Sequence, residues 1–522
     1  MTGGTRDTRA GQANDRTRAW VAWVCLVAGS VGLFWPAIVA SISADSRYQV
    51  LWQVGNVGSI RRAVVMALTQ DTSMLEQGRI VPVATLQQRV VYIGLTDVAV
   101  NSGADISMLH GILRALLLVV TAWSVWLAAR SLRARDASGT IIGLSRRTLT
   151  QVTVLVGVLL VAGLQMQNAS RNGWMAYSSV LTYHAAPYAF LTIALLLSTA
   201  RAVARRSRVR FPLLGLVAVC AALLALNFEL YFVSVPLGLL ALLLTPLPGT
   251  RALKSKRITG AVFAGVFAGV TIPVRMVIAR ACATQSCYDG VVPELGLGVV
   301  RTFAANMVTG VPAFGRTEAA RDLARTGHDL PPLFSGWGWF WSALVIVGLF
   351  LVVRTIEQRE DSAPLVDGSV ARQSDGRFRW PRGEVGVLVT LASLALALSV
   401  GSALIMSISS LAQELIRYPG EGYRCTYVVW SGFAVAAASM VLIVQRTFAG
   451  HRHVGRIGWI LVAVFLIYVG GVVRPVNTLV VAANKQYESV RISDSIHRAV
   501  VSPNFGPDGD AQRCQLLEDL DQ

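Results

Sequence analysis

Long apolar runs constrain this chain more than any other feature. They recur along 522 residues, of which 54% are hydrophobic, and a run of about 17–25 apolar residues can cross a hydrocarbon core about 30 Å thick as a helix. The sequence therefore predicts an all-α fold, a polytopic transmembrane helical bundle. We predict eleven spans, at residues 20–42, 108–129, 148–167, 179–200, 212–228, 231–247, 258–279, 337–353, 384–406, 426–445 and 457–473.

The distribution of basic residues predicts the orientation of these spans. With the N-terminus inside, the inner segments hold 27 of the 47 Lys and Arg residues, and the longer outer segments hold 18. Because Lys and Arg accumulate in short cytoplasmic loops, we predict a multi-pass protein of a bacterial cytoplasmic membrane, with its N-terminus cytoplasmic and its C-terminus extracytoplasmic. Topology and anionic lipid headgroups then account for the formal charge of +18, and nucleic acid is not an expected partner.

The loops divide the predicted chain into five parts. The longest inner loop is charged and contains Pro, Gly and Ser, a composition typical of a tether. In chain order, the parts are a basic cytoplasmic tail (1–19), a front module of about eight spans (20–353), a cytoplasmic tether (354–383), three rear spans (384–473) and an extracytoplasmic tail (474–522).

Two carboxylates lie where ionisable groups are unusual. Glu229 lies between two apolar runs, and a charge at membrane depth costs roughly 2–4 kcal/mol on insertion scales. Asp45 follows the first span directly. We predict that both act in catalysis on the outer face. The structural alternatives are that Asp45 caps a helix, and that Glu229 pairs with Arg114 or Arg275, the two arginines within predicted spans.

The first outer loop, residues 43–107, is too apolar for a simple linker. Its amphipathic stretches suit helices that lie in the membrane interface, and they are followed by Gly78-Arg79-Ile80-Val81-Pro82. We therefore expect a partly helical cap on the membrane, where a lipid-borne substrate would be handled.

Over about residues 1–240, these features resemble the GT-C superfamily of membrane glycosyltransferases. The shared features are the acidic residue after span one, the long first outer loop and its Gly-Arg-x-x-Pro element. Glu229, followed by Tyr231 and Pro236, is similar to the pattern of GtrII-like glucosyltransferases and related uncharacterised bacterial membrane families.

Many such enzymes carry an acidic pair after span one, whereas this chain has Asp45-Ser46-Arg47. That departure argues against a metal-dependent variant. No cofactor is predicted with certainty, and a divalent metal stays an open alternative.

The resemblance implies an inverting transfer of a sugar from a polyprenyl-phosphate carrier to an envelope glycan or glycolipid acceptor on the outer face. The residue chemistry is compatible with this. Asp45 is the predicted base for the acceptor hydroxyl. The leaving phosphate is already a stable anion, so it needs cations and no general acid, unlike the leaving alcohol of a glycosidase. The predicted phosphate-binding residues are Arg79, Arg417 and Arg424.

Five more side chains are predicted to contact the substrate. They are Arg47 and Tyr48 beside the predicted base, His184 near the outer end of the fourth span, Tyr231 after Glu229, and Tyr423 in the last outer loop. The simpler alternatives are packing for His184 and headgroup anchoring for Arg417 and Arg424.

Four of the six cysteines lie in predicted outer segments, where disulfides persist. Cys282 and Cys287 would close a small local loop, and Cys425 would then join Cys514 in the tail. The pairing is not fixed by sequence. A zinc site is disfavoured because no histidine has ligand spacing to these cysteines.

Two other classes of function stay open. A transporter or flippase for a glycolipid or lipid-linked oligosaccharide would tend to contain paired repeats, and no repeat is visible in the sequence. A non-catalytic envelope-assembly protein would use its outer loops to bind partners. Nucleotide-sugar or ATP chemistry on the inner face is disfavoured, because the inner loops contain no acidic pair and no glycine-rich phosphate loop in the expected context.

Overall fold

The computed structural model describes most of the chain. The described residues are 5–40, 61, 64–66, 78–163, 184–284, 293–312, 323, 327, 329–360, 383–416, 425–448 and 452–484. Within these ranges the chain is helical apart from connecting turns and one short antiparallel hairpin, in which β1 (Ala134–Arg135) pairs with β2 (Ile141–Ile142).

The helices follow one another as α1 (Thr5–Ile38), α2 (Pro82–Ser102), α3 (Ile106–Ser131), α4 (Arg146–Ala162), α5 (Ala185–Ala204), α6 (Arg210–Ala225), a 3₁₀ helix (Glu229–Val233), α7 (Ser234–Leu244), α8 (Ala252–Thr284), α9 (Leu297–Thr309), α10 (Gly338–Glu360), α11 (Gly383–Ser407), α12 (Ser410–Leu415), α13 (Thr426–Thr447), α14 (Arg452–Tyr468), a π-helical segment (Val469–Val473) and α15 (Arg474–Asn484).

The predicted all-α membrane architecture is confirmed. Within the described ranges, eight helices are long and apolar enough to cross a membrane: α1, α3, α5, α8, α10, α11, α13 and the continuous α14–α15. The helices α6 and α7 are apolar but shorter, and α4 has 17 residues. Each of the eleven predicted spans therefore coincides with a helix, and three of those helices fall below a full span length. The protein is a multi-pass membrane protein.

Glycines allow α1 and α10 to pack closely although they are far apart in sequence. A Cβ at Gly29 would lie 2.8 Å from the carbonyl oxygen of Trp341, and one at Gly348 would lie 2.6 Å from the amide nitrogen of Leu26. Small residues of this kind let the backbones of membrane helices approach one another. The first span is thereby fixed against the eighth.

The last span is longer than predicted. The outer tail was expected to begin at residue 474, but the helix continues through α15. It does so because this segment is packed: Arg474 Nε donates a hydrogen bond to the Gly32 carbonyl at 2.8 Å, and Val476 and Val480 are buried. Residues 485–522 of the predicted tail lie outside the described residues.

One continuous hydrophobic core joins the predicted front and rear modules. The rear helices α11 and α13 pack against each other, and α13 also packs against α4 of the front module. Leu155 of α4 and Val435 of α13 belong to the same core. Of the predicted tether 354–383, the first seven residues complete α10, and 361–382 lie outside the described part of the chain.

Glu384 joins three helix ends at the predicted cytoplasmic face. It lies at the beginning of α11, and its Oε2 accepts a hydrogen bond of 2.9 Å from Thr148 Oγ1 near the beginning of α4. Arg446, at the end of α13, donates to both Glu384 and Thr148. Since α4 and α11 begin where α13 ends, α13 runs antiparallel to both.

Candidate functional site

A break between α6 and α7 positions Glu229. The side-chain oxygen of Asn227 accepts a hydrogen bond of 2.9 Å from the backbone N–H of Phe228, and local bonds of this kind compete with helical ones. Pro236 has no N–H, and its ring would clash with the carbonyl of Phe232 in a regular α-helix. The chain therefore forms a 3₁₀ turn that begins at Glu229, and α7 starts only after it.

Glu229 forms an ion pair with Arg275 of α8. Arg275 Nη2 donates to Glu229 Oε1 at 2.9 Å, and the guanidinium carbon lies 5.7 Å from the centroid of the Phe232 ring. Residues i and i+3 of a 3₁₀ helix lie on the same face. Glu229 and Phe232 can therefore both contact the guanidinium group of Arg275. The Glu229 side chain is 30% exposed and that of Arg275 is 38% exposed, so the pair is accessible.

Arg79 approaches the same segment from the first outer loop. Its guanidinium carbon lies 5.7 Å from the centroid of the Phe228 ring, and Phe228 directly precedes Glu229. The backbone N–H of Val83 also donates to the Leu226 carbonyl at 3.2 Å, which fastens the beginning of α2 to the end of α6. Two of the predicted site residues therefore lie at the same segment: Arg79 packs on the Phe228 ring, and Glu229 follows Phe228 in the chain.

Tyr231 supports the 3₁₀ turn from the protein interior. Its ring packs edge-on against Tyr188 at a centroid distance of 5.3 Å, and Gln87 Nε2 donates to the Tyr188 hydroxyl at 2.7 Å. Tyr231 is fully buried and packs in the core, and its contact with substrate stays a prediction. His184 lies one turn before Tyr188, at the start of α5.

Arg114, the second arginine within a predicted span, anchors the end of α1. It is almost completely buried, and its Nη1 donates to the Ala37 carbonyl at 2.7 Å. The segment that contains Asp45 begins a few residues after this point. Arg114 therefore holds in place the end of α1, and the predicted catalytic base Asp45 follows that end in the chain.

The C-terminal end of α11 packs directly against the 3₁₀ turn. A Cβ at Gly401 would lie 2.6 Å from Val233 Cγ2. Six residues later α11 ends, and the chain continues through α12 to Ile416, whose side chain is buried. The loop that carries Arg417 therefore departs from the same end of the bundle as the 3₁₀ turn.

Several predicted site residues lie outside the described part of the chain, so their roles stay predictions. They are Asp45, Arg47, Tyr48, Arg417, Tyr423 and Arg424.

The cysteines differ in part from the prediction. Cys282 is disulfide-bonded. Cys287 and Cys514 lie outside the described residues, and the remaining cysteines are free. The predicted bond between Cys425 and Cys514 is wrong. Cys425 is a free thiol that is fully buried in the core at the beginning of α13.

Along the turn, the Glu229 carboxylate pairs with Arg275, which lies over the Phe232 ring, and the guanidinium of Arg79 lies over the Phe228 ring. This set has a formal charge of +1, and guanidinium groups bind phosphate oxygens through a planar fork of N–H donors. Within the described ranges, no group of three His, Cys, Asp or Glu side chains could hold a metal ion. The arrangement suits a phosphate-bearing ligand.

Sequence reasoning missed part of this site. It gave Arg275 only a structural alternative, and it did not select Phe228, Phe232, Tyr188 or Gln87. Two signals could have found Arg275, Phe228 and Phe232. Ionisable groups at membrane depth usually pair with one another, and Glu229 lies in a segment rich in aromatic residues, Phe228-Glu229-Leu230-Tyr231-Phe232.

Comparison with known proteins gives a weak structural likeness. No family model matches the sequence, and no curated protein matches it. Among solved structures, the chain is similar to the crystal structure of the Archaeoglobus fulgidus oligosaccharyltransferase in the apo form, with 14% sequence identity and a TM-score of 0.37. The similarity covers 96% of this chain and 59% of that chain. A likeness at this level establishes no shared activity.

Proposed function

We propose that the protein is a membrane glycosyltransferase of the GT-C kind, which transfers a sugar from a polyprenyl-phosphate-linked donor to an envelope glycan or glycolipid on the outer face. The observations that carry this proposal are the ion pair of Glu229 with Arg275 and the packing of Arg79 on Phe228, the residue before Glu229, at the break between α6 and α7. The sequence motifs that resemble the GT-C superfamily include Arg79 and Glu229.

Arg275 and Arg79 bind the donor phosphate in this proposal. Glu229 and Phe232 hold the guanidinium of Arg275 in place, so little side-chain freedom is lost when a phosphate binds. Preorganised cations of this kind stabilise the charge that develops on a leaving phosphate. The aromatic rings on either side offer apolar surface to the sugar or to the first carbons of the carrier lipid.

Glu229 has a positioning role toward Arg275 and a binding role toward the substrate. Its Oε1 accepts the hydrogen bond from Arg275. Its second carboxylate oxygen is left to accept a hydrogen bond from a hydroxyl of the sugar or of the acceptor. Since Glu229 is engaged by Arg275, the proton of the acceptor goes to Asp45 in this proposal.

The proposed chemical step is an in-line displacement. The acceptor oxygen bonds to the anomeric carbon as its proton passes to the Asp45 carboxylate. The bond between that carbon and the phosphate oxygen breaks, and its electron pair stays on the phosphate. Arg275 and Arg79 stabilise the resulting charge on the phosphate. The step therefore needs cations, but it needs no general acid.

Reconstituted vesicles provide the test of this function. The full chain is incorporated into liposomes with a panel of polyprenyl-phosphate-linked radiolabelled sugars and an envelope extract as acceptor. We expect label to become covalently attached to acceptor with at least one of these donors. Movement of the lipid-linked sugar across the bilayer without a covalent product would contradict the proposal and favour a transporter.

A further inference from the structure

A cavity lies at the opposite end of the bundle from Glu229. It has a volume of about 960 Å³ and lies between α4, α10, α13 and α14. The apolar side chains of α10 and α14, among them Leu349, Val353, Val462 and Ala463, form much of its wall. A cavity of this size with a mainly apolar wall is typical of a site for a small amphiphile.

Arginines line one end of this cavity. They are Arg147 at the start of α4, Arg354 near the end of α10, Arg446 at the end of α13 and Arg456 in the first turns of α14. All four belong to predicted cytoplasmic segments, and no carboxylate lines the cavity among the described residues. Arg446 is paired with Glu384, whereas Arg354 and Arg456 are exposed. The cationic end therefore faces the predicted inner surface of the membrane.

A buried amide adds a second polar contact point. Gln151 of α4 lines the same cavity and is 2% exposed. Its Nε2 has no hydrogen-bond partner among the described residues. Buried donors are normally satisfied, so an acceptor oxygen of a ligand in this cavity would complete the site.

We propose that this cavity binds an anionic phospholipid of the cytoplasmic leaflet. Arg354 and Arg456 bind its phosphate, Gln151 donates to one of its oxygen atoms, and an acyl chain lies against α10 and α14. The cavity combines guanidinium groups with an apolar wall, and only a ligand with both a phosphate and a hydrocarbon chain uses both parts. The assignment to the cytoplasmic leaflet rests on the predicted topology, but the site is independent of the glycosyltransferase proposal.

Lipid binding to the purified full chain tests this proposal. The protein is titrated in detergent with phosphatidylglycerol, with phosphatidylcholine and with inorganic phosphate, and bound lipid is counted by native mass spectrometry. We expect phosphatidylglycerol to bind at least tenfold more tightly than phosphatidylcholine, and the double variant Arg354→Gln/Arg456→Gln to remove that preference. The matched control Arg208→Gln changes an exposed arginine of another predicted inner loop and should keep it.

A cavity-filling variant separates a lipid site from a simple anion site. Ala463→Phe fills the apolar part and leaves every arginine in place, so we expect it to weaken phosphatidylglycerol binding at least fivefold. Equal binding to wild-type and double-variant protein would overturn the proposal. It would also be overturned if inorganic phosphate displaced the lipid at equal concentration, because the apolar wall would then contribute nothing.

Discussion

Replacing Arg275 by Gln is expected to lower sugar transfer at least about 100-fold, which corresponds to about 2.7 kcal/mol at about 1.36 kcal/mol per factor of ten. The variant loses the guanidinium that Glu229 and Phe232 hold, and with it a charge-assisted contact to the leaving phosphate. The initial rate of transfer by purified protein in vesicles measures this effect. The control Arg280→Gln removes an exposed arginine five residues later on α8 and should retain activity.

A double-mutant cycle distinguishes this functional role from a structural one. If Glu229 acts mainly by positioning Arg275, then Glu229→Gln should also lower transfer, and the double variant should be little worse than Arg275→Gln alone. Thermal unfolding of each variant is measured in parallel. If the variants lost stability and kept the wild-type rate per folded molecule, the ion pair would be structural only.

Replacing Asp45 by Asn is expected to abolish transfer, with a loss of at least about 1,000-fold, since general-base catalysis contributes typically about 10²–10⁴-fold. An amide has nearly the same shape as the carboxylate, but it cannot accept the acceptor's proton. The rate of single-turnover transfer measures the loss, and binding of the lipid-linked donor should be almost unchanged.

The matched control for this variant is Asp329→Asn. Asp329 is an exposed aspartate in another predicted outer segment, and its replacement should leave transfer near the wild-type rate. Wild-type transfer by Asp45→Asn would show that another group takes the proton. In that case Glu229 would be the next carboxylate to test as the base.

The helical spans could be predicted because their signal is local. A run of about twenty apolar residues has few alternatives to a membrane helix, and every predicted span coincides with a helix. The boundaries were less accurate where tertiary contacts decide them. The last helix continues past residue 474 because Arg474 bonds to Gly32 of the first helix, and nothing in the local sequence shows that contact.

The candidate site could be predicted only in part. Glu229 and Arg79 were selected because each is unusual in its local context, as a charge at membrane depth and as part of a recognisable element. That Arg79 packs on the Phe228 ring and that Arg275 of α8 pairs with Glu229 follow from helix packing, which one sequence does not specify. Cys425 was assigned wrongly because a cysteine at the end of a span suits burial as well as it suits a disulfide.

Photo-crosslinking of the donor to the full chain tests the central claim most directly. A polyprenyl-phosphate-linked sugar with a photoreactive group beside the phosphate is irradiated with the protein, and the labelled peptides are sequenced by mass spectrometry. We expect label on the 3₁₀ turn around Glu229 and on α8 around Arg275, with protection by excess unmodified donor. Label confined to the cavity of Arg354 and Arg456, with none near Glu229, would contradict the account.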